Sequence, residues 1–569
     1  MLNLDVVADM KWFRLSNGLG GEVNPTMYLQ TLRHLRREQV YGMLLSIYPR
    51  AVSRQGLCTS LRTPTGKWIS PVEPPPIQTG PASFRLAAGE HDINDSDGWS
   101  DPEASKLWLY NLHYFDDLIA EGSDERRNWH VELVHRWIHE NPPGEGVGWD
   151  PYPTACRISN WVKWFLRSGE LDSEMTASLA LQVRHLRHNL EWRLMANHLF
   201  ADLKALILGG CFFAGKEADE WLSYGLKVLD EQIREQILTD GGYCELSPMY
   251  HTIVLNDMLD LINAAHAFPD CIPAACLPRW IAKSNAMFDW LANMCHPDGR
   301  TSFFSDGGFT SYEPAALWDY ARRMGIDAPA GTTAGLRHLK ESGYIRLENS
   351  AATVIFDVGE VGLQYQPGHG HADALSFELS HNGKRILVNS GTSTYTESPE
   401  RVWQRGTAAH NTVEVDGQDQ SELWRAFRIA RRSHPIDVRA FQRGDGLVAE
   451  AAHTGYRRLR PGVIHGRSLE LTPASLKIHD VLDGRGKHDV AVWFHMHPSV
   501  RMRVADDRIV LDSPAGRSAI RLDPKLTPAI EATTFNPRFA VSVNNFSLRG
   551  AWSGDCPVSF TTEIEFNDR

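Results

Sequence analysis

The sequence predicts a domain of antiparallel helical hairpins followed by a large antiparallel β-sandwich. The chain has 569 residues. This is longer than a single hydrophobic core usually organises, so two or three domains are expected. The hydrophobic period also changes along the chain, from 3.6 residues before about residue 335 to two residues after about residue 340. We therefore expect an N-terminal extension over 1–100, a helical domain over 101–335 and a β-sandwich over 336–569.

The helical half shows apolar stripes spaced by three and four residues. In "PTACRISNWVKWFLRSG" the residues Ile158, Trp161, Val162 and Phe165 fall on one face of a helix. The segments "NHLFADLKALILGG" and "ADEWLSYGLKVLDEQIREQIL" repeat this pattern. Roughly nine such helices are joined by short connections containing Gly, Pro or Asp, which is typical of antiparallel hairpins packed side by side.

The C-terminal half shows short runs in which apolar and polar residues alternate. In "LSFELSHNGKRILVNSG" the residues Leu375, Phe377 and Leu379 share one face, and Asn382-Gly383 favours a tight hairpin turn. Similar runs such as "DVAVWFHMH" and "VSFTTEIEF" continue to the end of the sequence. This pattern predicts an antiparallel sandwich.

Composition excludes some functions and leaves others open. The formal net charge is −12, which argues against a nucleic-acid-binding protein but is compatible with an acidic ligand in a locally basic cleft. The eight cysteines are scattered without a C-x-x-C pair, so we expect reduced thiols. No secretion signal or apolar run of about 20 residues is visible. We therefore expect a cytoplasmic protein without a membrane span.

The segment "GHGHADALSFEL" places two histidines immediately before a strand. In an extended backbone His369 and His371 emerge on one face, roughly 7 Å apart. The flanking Gly368 and Gly370 allow another group to approach closely. The pattern fits either a functional site or a turn carrying two surface histidines.

Three other short segments combine a local structural signal with reactive side chains. Asn197 in "ANHLFADLKAL" stands where an N-cap would lie. In "ELSPMYH", Ser247 and Pro248 predict the start of a helix, with Tyr250 and His251 in its first turn. In "RGTAAHNTVEVDG" a further histidine, His410, precedes a strand.

Taken together, these motifs resemble the heparinase II/III-like polysaccharide lyases. The matching elements are "NHL", "ELSPMYH", "GHGHADALSFEL" with "LVNSGT", and "RGTAAHNTV", and they occur in that order between about residues 100 and 430. The resemblance implies an N-terminal incomplete (α/α) toroid followed by a large antiparallel β-sandwich, with the active site in the cleft between them. Within that family, the sequence is similar to members encoded together with surface-polysaccharide synthesis genes.

The resemblance implies β-elimination on an acidic polysaccharide that contains uronic acid. The C5 proton of the uronate is removed, the C4–O bond breaks, and the neighbouring carboxylate has to be neutralised. An amide can stabilise the developing charge, and Asn197 matches that position. Tyr250 matches the residue that protonates the leaving oxygen or, once deprotonated, accepts the C5 proton. His369 matches the histidine that serves as base or holds the carboxylate.

The resemblance also implies a divalent metal, zinc or a similar ion, in the sandwich. His371 and His410 match its histidine ligands, but Asn389 in "LVNSGT" stands where the family's third ligand is an aspartate. An amide oxygen is a weaker, uncharged ligand for zinc. Two readings therefore stay open: a metal bound by His371, Asn389 and His410, or a hydrogen-bonded cluster of the same residues.

Other polar residues lie in or beside these motifs. We expect the substrate to be contacted by His198, Glu245, His251, Arg401, Arg405 and Trp424. The arginines suit acidic sugar groups. His495 and His497 in "WFHMHP" lack a glycine setting and a partner motif, so we expect half-buried strand residues there.

Two alternatives remain open at the level of sequence. A glycoside hydrolase on the same scaffold would need two carboxylic acids across the bond, for which Glu245, Asp306 and Asp373 are candidates. A non-catalytic glycan-binding protein would not need the Asn, Tyr and His combination. The sequence indicates neither the polysaccharide nor the oligomeric state.

Overall fold

A computed structural model describes residues 25–46, 52–86, 89–168 and 171–566. The predicted order of a helical domain followed by a β-rich domain is confirmed. The helices of the described residues are α1 Pro25–Leu32, α2 Arg37–Ser46, α3 Lys106–Tyr114, α4 Arg127–Glu140, α5 Pro151–Ser168, α6 Ser173–His188, α7 Ala196–Phe212, α8 Lys216–Gln236, α9 Pro248–Ala267, α10 Cys276–Met294, α11 Pro314–Arg323 and α12 Pro399–Arg405. Within these ranges, no helix is both long and apolar enough to cross a bilayer.

Tryptophan side chains fill much of the helical core. Trp137 of α4 and Trp161 of α5 are fully buried, and their rings meet edge to face with centroids 5.9 Å apart. The buried guanidinium of Arg157 lies 3.8 Å above the Trp137 ring and donates to the carbonyl of Gly148 at 2.8 Å. Large aromatic surfaces of this kind contribute strongly to burial energy. The tryptophans here are therefore core material.

The β domain is built from two main antiparallel sheets. The strands of the described residues are β1 Ser83–Leu86, β2 Gly89–Asp92, β3 Gly335–Leu339, β4 Tyr344–Glu348, β5 Ala352–Asp357, β6 Phe377–His381, β7 Lys384–Leu387, β8 Val413–Val415, β9 Leu423–Trp424, β10 Arg428–Ile429, β11 Pro435–Arg443, β12 Gly446–His453, β13 Val463–Leu471, β14 Ser475–His495, β15 Arg501–Ala505, β16 Arg508–Ser513, β17 Gly516–Arg521, β18 Thr527–Arg538 and β19 Val541–Phe566; β1 and β2 precede the helical domain. The five-stranded sheet has the order β3–β4–β5–β6–β7. The ten-stranded sheet has the path β11–β12–β13–β14–β19–β17–β16–β15, with β8 paired to β14 and β18 to β19. Apolar side chains of both sheets form one core, as in a sandwich.

Buried hydrogen bonds attach the helical domain to the five-stranded sheet. The Tyr344 hydroxyl on β4 donates to the carbonyl of Leu246 at 2.6 Å. The Trp290 indole on α10 donates to the Ser342 hydroxyl at 2.8 Å. Leu246 directly precedes the segment that begins α9, and its backbone has a left-handed φ of 58°. The Tyr344 contact therefore holds a strained turn just before Tyr250.

The first two helices connect the two domains on another side. Gln39 of α2 donates to the backbone carbonyl of Tyr365 at 3.2 Å, while Arg36 pairs with Glu235 of α8 at 2.6 Å. Trp424 packs its ring against Tyr28 of α1, with centroids 4.7 Å apart. The sequence interpretation made Trp424 a substrate contact, whereas the structure places its side chain against α1.

We predict that Tyr344→Phe lowers the free energy of unfolding by about 1–3 kcal/mol, because the buried Leu246 carbonyl loses its donor while the ring still fills its place. Urea denaturation would measure this loss. Tyr224→Phe is the control, since its ring keeps its contact under the Arg187 guanidinium. Equal stability of the Tyr344 variant and wild type would contradict the role given to this hydrogen bond.

Candidate active site

Tyr250 and His369 come from different domains and stack directly on each other. Their ring centroids lie 3.8 Å apart at an interplanar angle of 29°. Ser247 is the N-cap of α9: its hydroxyl accepts from the Tyr250 N–H at 3.3 Å, with Pro248 at the first helical position. The predicted helix start is therefore confirmed. It places the Tyr250 phenol at the domain boundary.

A buried carboxylate, Asp306, organises the sandwich side of the site. One oxygen lies 2.8 Å from His369 Nδ1 and the other lies 2.8 Å from His371 Nε2. Both oxygens also accept from the fully buried Arg401 guanidinium. Burial alone would raise the pKa of Asp306, but Arg401 and the two histidines hold that pKa well below its ordinary value. Asp306 is therefore an ionised anchor.

The hydrogen bond to Asp306 determines which ring nitrogen of His369 can act as a base. An ionised carboxylate can only accept, so His369 donates from Nδ1. In the neutral ring this leaves the lone pair on Nε2. The side chain of His369 retains 10% exposure, against 0% for Asp306. The arrangement thus orients a base by a carboxylate, the same logic as in catalytic triads.

Tyr250 also contacts a residue that the sequence interpretation missed. Its hydroxyl lies 2.8 Å from the hydroxyl of Tyr395, and Arg401 lies 5.0 Å from the Tyr395 ring centroid. Burial, followed by the charge of Asp306, raises the Tyr250 pKa well above its ordinary value. The phenol is therefore protonated and able to donate. The only sequence signal for Tyr395 was its position, six residues after Asn389.

Asn197 lies in the first turn of α7 and is not the N-cap that its local sequence suggested. Helix α7 begins at Ala196, and Met195 is its N-cap, without a side-chain cap hydrogen bond. Met195 and Ala196 both have positive φ, 60° and 48°, a strained backbone that often marks a functional site. The Asn197 amide instead donates to both oxygens of Glu245, at 2.9 and 3.0 Å.

Glu245 is hydrogen-bonded to Asn197 and lies near Tyr250. The carboxylate is buried, and burial raises its pKa, while the hydrogen bonds from the Asn197 amide oppose that rise. Glu245 also lies close enough to Tyr250 for its charge to contribute to the raised pKa of Tyr250. Asn197 with Glu245, and Tyr250 with His369, therefore form two contacting pairs in the candidate site.

His198 lies next to Asn197 and is partly exposed. Its Nδ1 lies 2.5 Å from a carboxylate oxygen of Glu191, and its ring lies 4.5 Å from the Tyr152 ring. Glu191 also accepts from Arg193 at 2.9 Å. His198 thus stays a predicted substrate contact, with Tyr152 as an aromatic neighbour.

Three predicted substrate contacts have other partners in the structure. His251 is fully buried, lies 3.0 Å from the Met287 carbonyl and stacks on Trp290. Arg401 binds Asp306, and Arg405 donates to the carbonyl of Gly370 at 3.0 Å. Both arginines are fully buried. Both guanidinium groups are therefore occupied by protein acceptors, and they fix the loop that carries His369 and His371.

The predicted metal residues lie together, with a different carboxylate beside them. His371 Nδ1 and His410 Nε2 are 3.3 Å apart, and the ligand atoms of His371, Asp373 and His410 all lie within 4.8 Å of one another. The Asn389 amide instead accepts from the Asn411 N–H at 3.3 Å and donates to Ser376 at 3.4 Å. Asp373, rather than Asn389, is therefore the third ligand-type side chain beside the two histidines.

The carboxylates considered for hydrolysis do not form an open pair. Asp306 is bound by Arg401 and two histidines, and Asp373 is buried, with an oxygen accepting from the Ser305 N–H at 2.9 Å. Glu245 is occupied by Asn197. A glycosidase needs two acids facing one sugar bond, which this arrangement does not provide.

Two family models match consecutive parts of the chain. The family model "Heparinase II/III N-terminus" matches residues 112–319, and the model "Heparinase II/III-like, C-terminal" matches residues 331–551. The chain belongs to the heparinase II/III-like family. Both matched segments contain members of the site, with Asn197 and Tyr250 in the first and His369 in the second.

Individual relatives are more distant. A heparin-sulfate lyase of Bacteroides stercoris is 27% identical over 48% of this chain and 46% of its own length. The FtsZ-localized protein C of Caulobacter vibrioides is 24% identical over 73% of each chain. The chain thus spans about half the length of the lyase it matches. A solved heparinase III structure has a TM-score of 0.68 at 17% identity, covering 84% of this chain and 80% of that chain, and it confirms the toroid-plus-sandwich fold.

Buried neutral histidines make stability depend on pH. Burial lowers the pKa of His113, His185 and His251 to about 3, about 4 and about 3. The unfolded chain therefore binds more protons below about pH 6.5, and this part of the stability is lost as pH falls toward 4. We predict that the free energy of unfolding drops over this window, by up to about 1.4 kcal/mol per pH unit for each histidine.

The variant His251→Phe tests this dependence, because phenylalanine keeps the stack on Trp290 but cannot bind a proton. Urea unfolding between pH 4.5 and 7 should show a smaller slope of the free energy of unfolding against pH, reduced by the equivalent of about one proton. A His251→Phe slope equal to that of wild type would contradict the assignment.

Proposed function

We propose that the protein is a polysaccharide lyase that cleaves an acidic, uronic-acid-containing polysaccharide or oligosaccharide by β-elimination. The observation that carries the proposal is the stack of Tyr250 on His369 across the domain boundary. It brings together a proton donor and a base that the sequence separates by more than a hundred residues. Family membership and the heparin-sulfate lyase relatives support the same reaction class.

The roles follow from the protonation of each group. His369 Nε2 accepts the C5 proton, because its Nδ1–H is engaged by Asp306. We assign Asn197 to the uronate carboxylate: its amide donates to Glu245 in the structure and would turn to the substrate to stabilise the charge that develops there. The electron pair forms the C4–C5 double bond as the C4–O bond breaks. Tyr250, whose pKa is raised by burial, donates its proton to the departing oxygen.

The alternative in which Tyr250 is the base is less consistent with the structure. A tyrosinate needs nearby uncompensated cations to lower its pKa, and burial acts in the opposite direction. Arg401, whose charge acts to lower the Tyr250 pKa, is already paired with the carboxylate of Asp306. We therefore assign the acid role to Tyr250 and the base role to His369.

A binding role without catalysis is the second candidate, because one relative with broad coverage is named for its localisation with FtsZ. A binding site does not require a carboxylate-oriented histidine stacked on a neutral phenol. Retention of that arrangement favours an enzyme. The two functions separate on one measurement, since only a lyase releases unsaturated sugar products.

The decisive assay measures new ultraviolet absorbance from the conjugated double bond over a panel of acidic polysaccharides, including heparan sulfate, alginate and unsulfated uronate polymers. We expect absorbance to rise with at least one of them. New reducing ends without absorbance would indicate a hydrolase. Binding without either product would indicate a glycan-binding protein.

We predict that Tyr250→Phe lowers the elimination rate by about 10²–10⁴-fold, because the aromatic ring is kept and only the proton donor is lost. The initial rate of ultraviolet absorbance on the best substrate is the measurement, and circular dichroism checks the fold. Tyr224→Phe, at the helical surface under Arg187, is the matched control. A Tyr250→Phe variant with more than about half of wild-type activity would refute the acid role.

We also propose that a zinc-type divalent cation is held by His371, Asp373 and His410, with the first two donors oriented by Asp306 and the Ser305 N–H. When bound, the cation would supply positive charge that fixes the loop carrying His369. Elemental analysis should show that Asp373→Asn loses bound zinc and Asn389→Ala keeps it. The opposite pattern would restore Asn389 as the ligand.

A further inference from the structure

A second group of ligand-type side chains joins helices α4 and α6 of the helical domain. His135 and His139 are four residues apart on α4 and so lie on the same face. Glu174 stands in the first turn of α6. The ligand atoms of these three residues all lie within 4.8 Å of one another. They share no residue with the candidate active site.

The Glu174 carboxylate lies between the two histidine rings. One oxygen is 3.0 Å from His135 Nδ1, and the other is 3.3 Å from His139 Nε2. The opposite nitrogen of His135, Nε2, is 2.9 Å from the carboxylate of Asp172. Asp172 is in turn fixed as the N-cap of α6, where it accepts from the N–H groups of Glu174 and Met175.

Both nitrogens of His135 face carboxylate oxygens, Nε2 toward Asp172 and Nδ1 toward Glu174. A cation on the Nδ1 side would be contacted by His135, Glu174 and His139 together. The Asp172 contact is also the partner that metal-binding histidines usually have on their other nitrogen.

We propose that His135 Nδ1, His139 Nε2 and the Glu174 carboxylate bind a divalent transition metal, with Asp172 orienting His135. Two imidazoles and one carboxylate suit zinc and similar ions better than calcium or magnesium. The three side chains are 32%, 65% and 43% exposed, so the ion can enter from solvent without unfolding. Its role is to connect α4 to α6 and stabilise this part of the helical domain.

The test is zinc titration of the full chain by calorimetry after treatment with EDTA and dialysis, with thermal unfolding measured in parallel. His139→Gln removes one ligand from an exposed position, and Glu174→Gln is a second variant. His434→Gln is the matched control, because this histidine is also exposed and contacts a single carboxylate, Glu360. Calcium replaces zinc as the control ion.

We expect His139→Gln and Glu174→Gln to lose one equivalent of zinc, or to weaken it at least about tenfold, relative to wild type and His434→Gln. Zinc should raise the unfolding temperature of wild type by about 2 °C or more, and neither variant should show this part of the rise. Comparison between variants separates this site from the cluster around His371. Unchanged zinc stoichiometry in both variants, or an equal response to calcium, would overturn the proposal.

Discussion

The site depends on one buried carboxylate. Asp306 lies on the loop between α10 and α11, and it accepts from Arg401 of α12 while binding His369 and His371 from the loop before β6. It therefore ties three separate chain segments to one charge. Burial of an unpaired carboxylate is very unfavourable, and loss of one partner from a buried pair costs about 3–5 kcal/mol. The three segments therefore stabilise one another through this carboxylate.

The same constraint connects orientation to reactivity. Because Asp306 stays ionised, His369 has to donate from Nδ1, which leaves Nε2 as its basic nitrogen while the ring face stacks on Tyr250. Next to Asp306, Gly307 has no room for a side chain: a Cβ atom there would lie 2.6 Å from Phe303 Cα. The loop can pack this tightly only with glycine at that position. Backbone sterics thus help decide where the carboxylate lies.

The sequence predicted the features that depend on local patterns. The change of hydrophobic period predicted the order of the helical and β-rich parts, and Ser247-Pro248 marked the start of α9. His369 lies in a turn and not on the extended backbone that the alternation assumed, although it and His371 both contact Asp306. Pairings between distant residues could not be predicted from the sequence, because nothing near Arg401 in the sequence indicates that Asp306 is its partner. Arg401 was read as a substrate contact for that reason. The Asn197 interpretation as a cap failed for a physical cause, since the turn before α7 adopts positive φ at Met195 and Ala196 and so moves the helix start.

The proposed acid and base come from different domains, so interdomain packing is expected to affect the proposed reaction. Tyr250 stands on the helical side, whereas His369 and Tyr395 stand on the sandwich side, and the Tyr250 pKa is raised chiefly because the domains bury it. If the domains separated, water would reach the phenol and the ring stack would be lost, so the acid and base would no longer share one substrate. The contacts of Tyr344 with Leu246 and of Gln39 with Tyr365 hold the same boundary from two sides. Interdomain contacts far from the sugar should therefore affect turnover as well as stability.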